Sequence, residues 1–537
     1  MRVEPRQIDA LFSDYDGNET PGCALAILQD GQIRYARGYG MADLSHDVPI
    51  TTTTPFHVAS LSKQFTVLAV LLLEEDGLLS LEDDIRKYLP ELQDLGAIVS
   101  IRHILQNTSG LQDQWDLLNF SGNRYSLDLV TDVDVMALLR RQRCLNFPPG
   151  SQYLYSNSGF TLAAQIVERI SGKTLRDFTT RRIFQPLGMT QTHFRDDHAE
   201  INKGEALGYQ RTPEGRYRLS VTNFDHVGPT SLYTTVEDLA KWDANFYAPS
   251  VGSPALFERM MQRPRLPSGM DSWYAMALMM LSYRGLPVVE HTGSDAGYRA
   301  DMLRFPEQHF SVFCLFNTIA PAAAFSRRIA DLYLADIFPA PPRARFGRCD
   351  CTSFNATPFT LHRFQAQATG MVLELRGQKS SPGLNLQVLD ESGVWTALMT
   401  DGQGRFLLPG SIDPLSIESG WDEPQRLVIR GEGKPDDVWD RLPEFALSAP
   451  VLERFAGRYW SEELDTSYAI EVRGDRLILT RSKFASEPLT PIAEGAFKSS
   501  LGVHRFLMRV EDGRASSMRL STQWSHNIHF TLLQRDN

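Results

Sequence analysis

Ser60 and Lys63 stand three residues apart in Phe56-His57-Val58-Ala59-Ser60-Leu61-Ser62-Lys63, at the head of a long apolar run. Residues at that spacing share one face of a helix, so a hydroxyl and an amine can meet there. The N-terminus of a helix, with its unpaired N–H groups and the positive end of its dipole, favours a developing anion. A lysine acts as a base only when neutral, and burial or a neighbouring cation lowers its hold on the proton. The apolar residues that follow supply the burial. The chemistry this pair suggests is an activated serine nucleophile. Tyr155-Ser156-Asn157 follows Pro148-Pro149-Gly150, a loop signal. A phenol held against an ammonium relays a proton or, as phenolate, takes one. Asn157 offers an amide to a substrate carbonyl or to Lys63. His291-Thr292-Gly293-Ser294 ends a strand-like run. Gly293 would let a substrate backbone lie close to the strand, and the Ser294 N–H could join that of Ser60 as an oxyanion hole. Each motif is short enough to occur alone by chance. Their order within one segment is what gives them weight.

The elements that must hold these residues are readable in outline. Cys23 to Leu28 and Ile33 to Ala36 flank Asp30-Gly31 as a hairpin. Ser60 to Asp76 has a helical pattern that is apolar nearly all round, so the helix is expected to be buried, with Gly77 as its stop. Ser158 to Ile170 reads as a second helix closed by Ser171-Gly172. Val288-Val289 lead into His291, and strands follow at Arg304-Phe305 and from Phe310 to Phe316. Antiparallel strands from both ends of the segment with helices between them predict an α+β domain over 1–338. A proline-rich linker is expected at 339–345. Beyond it the apolar period becomes two: Leu384, Leu386 and Val388, then Tyr468, Ile470 and Val472, then Phe506, Met508 and Val510. With hairpin turns at Gly474-Asp475 and Asp512-Gly513, this predicts two small antiparallel β-domains, 346–445 and 446–537, the second barrel-like.

Composition narrows the partners. The 537 residues carry a net charge of −11, which disfavours nucleic acid as a main partner. The apolar stretch Val67 to Leu73 is far short of the ~20 residues that span a bilayer. The opening residues show no secretory signal, so a cytoplasmic location is expected. Five cysteines lack the spacing of a disulfide framework, and Cys349-Asp350-Cys351 has no second Cys or His pair nearby to make a metal site. Exposed β-edges in the C-terminal domains would suit a homo-oligomer.

Residues 10–335 resemble the penicillin-recognising serine hydrolases, the group that holds class C β-lactamases, DD-peptidases and D-aminopeptidases. The three motifs occur in the family's order, and flanking phrases match as well: Gln64-Phe65-Thr66, Asn107-Thr108-Ser109-Gly110-Leu111, Phe147-Pro148-Pro149-Gly150 and Pro186-Leu187-Gly188-Met189. The resemblance implies a β-lactamase/transpeptidase-like fold. It also implies acylation of Ser60, general acid and base duty shared by Lys63 and Tyr155, and no metal or organic cofactor. His291 stands where many relatives have lysine. A neutral imidazole offers one weaker hydrogen bond and no charge, which turns the expectation from carboxylate-bearing substrates toward amides, peptides or esters. The two β-domains and Gly457-Arg458-Tyr459-Trp460 are similar to three-domain D-aminopeptidases. In those enzymes a long loop of the third domain reaches the active site, whereas the connection Ser499 to His504 is short here. Asp113 and Asp295 are candidates to hold a substrate amine, and Arg299 to hold a carboxylate. The expected function is a serine hydrolase of amide or peptide bonds, with a D-stereospecific aminopeptidase as one form of it. A carboxylesterase on the same machinery and a non-catalytic penicillin-binding or sensing protein are the alternatives.

Overall fold

The computed structural model describes residues 3–125, 127–339, 347–348, 359–367, 371–380, 383–389, 395–401, 404–408, 413–431, 435–499 and 504–533. The linker beyond Pro339, Cys349, Cys351 and residues 500–503 of the Ser499–His504 connection lie outside these. The chain forms two compact bodies. One comprises Met1–Leu111, Tyr125–Arg140 and Phe147–Pro342, the other Gln112–Arg124, Arg141–Asn146 and Arg343–Asn537.

The first body is built on an antiparallel six-stranded sheet. Its order is Met279–Tyr283, Leu286–Asp295, Tyr298–Phe305, Phe310–Phe316, Cys23–Gln29 and Gln32–Tyr39. The two ends of the segment meet where Cys23–Gln29 pairs with Phe310–Phe316. Asp30 and Gly31 both take positive φ, 54° and 71°, the backbone that a tight two-residue hairpin requires. On one face the helix Ala322–Tyr333 buries Phe325 and Ile329 against Leu25, Phe305 and Val312. The helix Val236–Tyr247 covers the other, where the buried pair Arg304 and Asp243 meets at 2.7 Å.

The Ser62–Glu75 helix is buried at every position from Ser62 to Leu73, as its all-round apolar pattern requires. It begins later than the sequence suggests. Ser60 sits instead in a short 3₁₀ turn, Ala59–Leu61. Ala59 takes φ +48°, a left-handed backbone, and the Ser62 hydroxyl donates to the Ala59 carbonyl. That local bonding sets the turn off from the α-helix. The helix Ser158–Ser171 packs alongside, and Gly172 ends it at φ +64°. Gly228 lies against this second helix: a Cβ there would fall 2.6 Å from the Phe160 carbonyl oxygen.

The second body is antiparallel β, as the period-two pattern predicts. Ten strands among the described residues form one sheet, with Phe364, Leu375, Leu386, Leu427 and Trp439 in its core. Eight further strands, from Gly457–Ser461 to Ile528–Leu532, close into a barrel. Closure comes from Tyr459 pairing with Leu532. Tyr468, Ile470, Phe506 and Met508 point into its core. Hairpins turn at Gly474 and at Asp512-Gly513, all with positive φ.

Two stretches from within the first 338 residues also belong to this second body. The helix Gln114–Ser121 buries Leu117, Leu118 and Phe120, and the Tyr468 hydroxyl donates to the Phe120 carbonyl at 2.9 Å. Asn146 grips the Trp524–His526 turn from both sides, donating to the Trp524 carbonyl at 2.9 Å and accepting from the His526 N–H at 2.8 Å.

Candidate active site

The left-handed Ala59 precedes a half-buried Ser60, while Lys63 one turn on is fully buried. A non-glycine residue in that conformation is strained, and such strain gathers where a neighbouring side chain must be aimed. The Lys63 Nζ lies 3.0 Å from Ser60 Oγ, 2.8 Å from Asn157 Oδ1 and 2.8 Å from the Pro229 carbonyl oxygen. The last two atoms only accept hydrogen bonds. A neutral amine that gives its two hydrogens to them turns its lone pair toward the Ser60 hydroxyl. An ammonium would instead donate its third hydrogen to that oxygen. The geometry therefore suits either protonation state of Lys63, as a proton carrier requires.

Tyr155 stands beside the same amine, its ring centroid 5.0 Å from Nζ, and the Phe160 ring lies 5.4 Å from it. The Tyr155 loop is held by a residue far away in sequence. Asn107, at φ +55°, takes the Ser156 N–H on its side-chain oxygen at 3.0 Å and the Leu154 N–H on its carbonyl at 3.0 Å. The two bonds bracket Tyr155. Asn157 opens the Ser158–Ser171 helix, so helix and loop together fix the spacing of phenol and amide.

The strand Leu286–Asp295 forms the opposite wall. Its neighbour Met279–Tyr283 pairs only as far as Glu290, which leaves the edge from His291 onward facing the Ser60 turn. At Gly293 a Cβ would lie 2.2 Å from the Val58 carbonyl oxygen. The sequence reading kept this glycine for a substrate backbone. In the structure, the chain's own backbone before Ser60 already requires it. Ser294 is exposed on the same edge.

His291 is buried, and its pKa is depressed to about 4 by burial, then by the Lys63 charge. It is therefore neutral at physiological pH. Its Nδ1 lies 2.7 Å from the Thr292 carbonyl, so that nitrogen carries the hydrogen, and Nε2 accepts from the Tyr274 hydroxyl at 3.0 Å. Both ring nitrogens are engaged within the protein. The hydrogen bond to substrate expected of His291 would require Tyr274 to turn away. Tyr274 also stacks edge-on against Tyr155, with centroids 6.1 Å apart.

Asp295 is 6% exposed and accepts from the Thr230 hydroxyl at 2.9 Å, so its carboxyl faces the protein rather than the cleft. Burial raises its pKa to about 7, against the pull of Arg299 and Lys63. Arg299 donates to the carbonyls of Ala296 and Tyr298. Asp113 belongs to the second body, where its side chain accepts from the Trp115 N–H as the cap of the Gln114–Ser121 helix. The structure thus gathers Ser60, Lys63, Tyr155, Asn157, His291 and Gly293 within the first body. It adds Asn107, Pro229, Thr230 and Tyr274, which sequence reasoning missed. Asn107 lies in Asn107-Thr108-Ser109-Gly110-Leu111, a phrase that marks the family but not this contact, and the other three carry no local signal.

An antiparallel sheet flanked by helices, with a Ser-Lys pair at a helix start and a tyrosine over the amine, defines a class of protein. The Beta-lactamase family model matches residues 8–336, and the chain belongs to that family. It is 27% identical over 469 residues to a D-aminopeptidase of Cereibacter sphaeroides, covering 87% of this chain and 84% of that one. It is 30% identical to penicillin-binding protein 4* of Bacillus subtilis, over 58% of this chain and 71% of that protein. The octameric penicillin-binding protein homologue from Pyrococcus abyssi shares the fold. It has a TM-score of 0.59 and 20% identity, covering 90% of this chain and 100% of that one. Among the described residues no helix is long and apolar enough to cross a membrane.

Proposed function

We propose that this chain is a serine hydrolase that cleaves amide or peptide bonds through an acyl-Ser60 intermediate. The observation that carries the reading is the Lys63 amine, 3.0 Å from Ser60 Oγ and anchored on two acceptor-only oxygens. In the first step the Ser60 oxygen attacks the substrate carbonyl carbon, and the Ser60 proton passes to Lys63 or, through it, to Tyr155. Lys63 and Tyr155 act together in this proposal, and the proton is assigned to the pair rather than to either one. The N–H groups of Ser60 and Ser294 receive the carbonyl oxygen as it becomes an oxyanion. The pair then returns the proton to the leaving amine. Water attacks the acyl-enzyme by the reverse route and releases the acid. Asn157 keeps Lys63 in line, and no step calls on a cofactor.

A D-stereospecific aminopeptidase is the form of this activity we favour. The alignment with the D-aminopeptidase of Cereibacter sphaeroides runs through both bodies. The neutral His291 adds to that support, because it offers no fixed charge to a carboxylate-bearing substrate. The test is hydrolysis of D-alanine and L-alanine p-nitroanilides beside p-nitrophenyl butyrate. Preference for the D-anilide supports the proposal, and turnover of the ester alone replaces it with a carboxylesterase. Assembly of copies through the antiparallel β regions is part of the same proposal. Light scattering that reads a monomer would remove that part.

A further inference from the structure

The stretch from His226 to Leu232 delivers the Pro229 carbonyl to Lys63 Nζ, 2.8 Å away. Its end is fixed on the segment of the nucleophile. The Leu232 N–H donates to Ser62 Oγ at 3.0 Å, and the Val58 N–H donates to the Leu232 carbonyl at 3.0 Å. In the middle, the Thr66 hydroxyl donates to the Gly228 carbonyl at 2.8 Å. Ser231 takes φ +74°, a strained backbone for a residue with a Cβ, and surrounding contacts must hold it.

The start of the stretch is fixed by a buried side chain that the proposed reaction does not use. His226 Nδ1 lies 2.5 Å from Asp132 Oδ1. A carboxylate only accepts, so that nitrogen carries the hydrogen. His226 Nε2 lies 3.2 Å from the Thr161 hydroxyl, which is also buried. The His226 carbonyl accepts from the Ser231 hydroxyl at 2.7 Å and closes the loop on itself. Asp132 opens the helix Asp132–Leu139, and Thr161 lies in the first turn of the Ser158–Ser171 helix, which Asn157 caps. The Thr161 N–H donates to the Asn157 carbonyl at 3.2 Å. One imidazole therefore ties the Pro229 loop to the helix that starts at Asn157. Asn157 Oδ1 and the Pro229 carbonyl are the two acceptors that anchor the Lys63 amine.

We infer that His226 is a positioning residue for acylation: held by Asp132 and Thr161, it sets the Pro229 carbonyl and Asn157 at the separation the Lys63 amine needs. The inference rests on the proposed role of Ser60 and Lys63. A loosened loop leaves Lys63 folded into the same helix but aimed less well at Ser60, and small misplacements of that kind slow the chemical step more than they weaken binding.

The experiment measures kcat and KM on whichever p-nitroanilide or p-nitrophenyl ester the wild type turns over, with folding checked by circular dichroism. Asp132→Ala withdraws the acceptor of His226 at a side chain that is 30% exposed, so the core stays filled. It is expected to lower kcat by about 5- to 20-fold with KM within about twofold. His226→Leu fills the same space without hydrogen bonds and should lower kcat by about 30- to 100-fold, while His226→Asn, which keeps an N–H donor for Asp132, should recover at least about threefold of that loss. Asp132→Ala carries the test if neither His226 variant folds. The readout that a merely structural role would not move is coupling to the other anchor. With Asn157→Ala, the amine loses one acceptor, and adding Asp132→Ala loosens the second. The double variant should fall below the product of the two single effects by at least about threefold. A double variant at or above that product overturns the inference, and so does a kcat that Asp132→Ala leaves unchanged. Failure of the underlying reading shows separately, as turnover that survives Ser60→Ala.

Discussion

At the scale of single residues, the site is a set of polar atoms placed so that one amine can hold or release a proton. Asn157 accepts from Lys63 at 2.8 Å in a buried setting. Asn157→Ala leaves that donor without its acceptor, a penalty of about 1–3 kcal/mol for a buried group. It is expected to lower kcat/KM by about 10- to 100-fold, measured on whichever substrate the wild type turns over. His291 and Asp295 give opposite pH signs to stability. His291 has a folded pKa of about 4, below the usual 6.5, so its contribution is present above about pH 6.5 and lost as pH falls toward 4. Asp295 has a folded pKa of about 7, above the usual 3.8, so its contribution is present in acid and lost as pH rises toward 7. Asp295→Asn removes the second trend. Relative to wild type, that variant should gain stability as pH rises from about 4 to about 7. Urea unfolding followed at several pH values reads this directly, and a constant difference between the two proteins would refute it.

At the scale of elements, the site depends on close approaches that a sequence marks only by residue type. The strand Leu286–Asp295 meets the Ser60 turn so closely that Gly293→Ala would place a methyl 2.2 Å from the Val58 oxygen. Overpacking of that kind costs about 3 kcal/mol, so lower stability together with lost activity is expected in thermal melts and assays. Asn107→Gly keeps the left-handed backbone and frees the Ser156 N–H. A fall in kcat of about tenfold with little change in KM would show that Asn107 works by aiming Tyr155. Ser60, Lys63 and Tyr155 were legible because they lie in short phrases whose chemistry and order speak together. The all-round apolar helix and the period-two strands were legible from their patterns. Asn107, Thr230 and Tyr274 were not, since each acts on a partner distant in sequence and is of a type common in loops and cores. The start of the helix was misplaced by two residues because Ala59 carries no sign of a left-handed backbone.

At the scale of the whole molecule, the sequence outline of one α+β segment followed by two β-domains describes most of the chain. It does not foresee that 112–124 and 141–146 belong with the C-terminal body. No composition shift marks them, and their ties are single hydrogen bonds to remote turns, such as Asn146 to Trp524 and His526. A fragment ending at residue 338 would retain the Gln114–Ser121 helix but lose its barrel partners, among them Tyr468 and Ser525. Buried Leu117, Leu118 and Phe120 would then meet water, so that fragment is expected to aggregate or to melt well below the full chain. A soluble, monomeric fragment with the melting temperature of the full chain would show that these segments need no barrel.

The most direct test of the account is to trap the acyl-enzyme. Rapid acid quench during turnover, followed by peptide mass spectrometry, should find the substrate's acyl group on the peptide that contains Ser60. Ser60→Ala should lose both the adduct and at least about 10³-fold in turnover. An adduct on another residue, or turnover that survives in Ser60→Ala, would contradict the central claim.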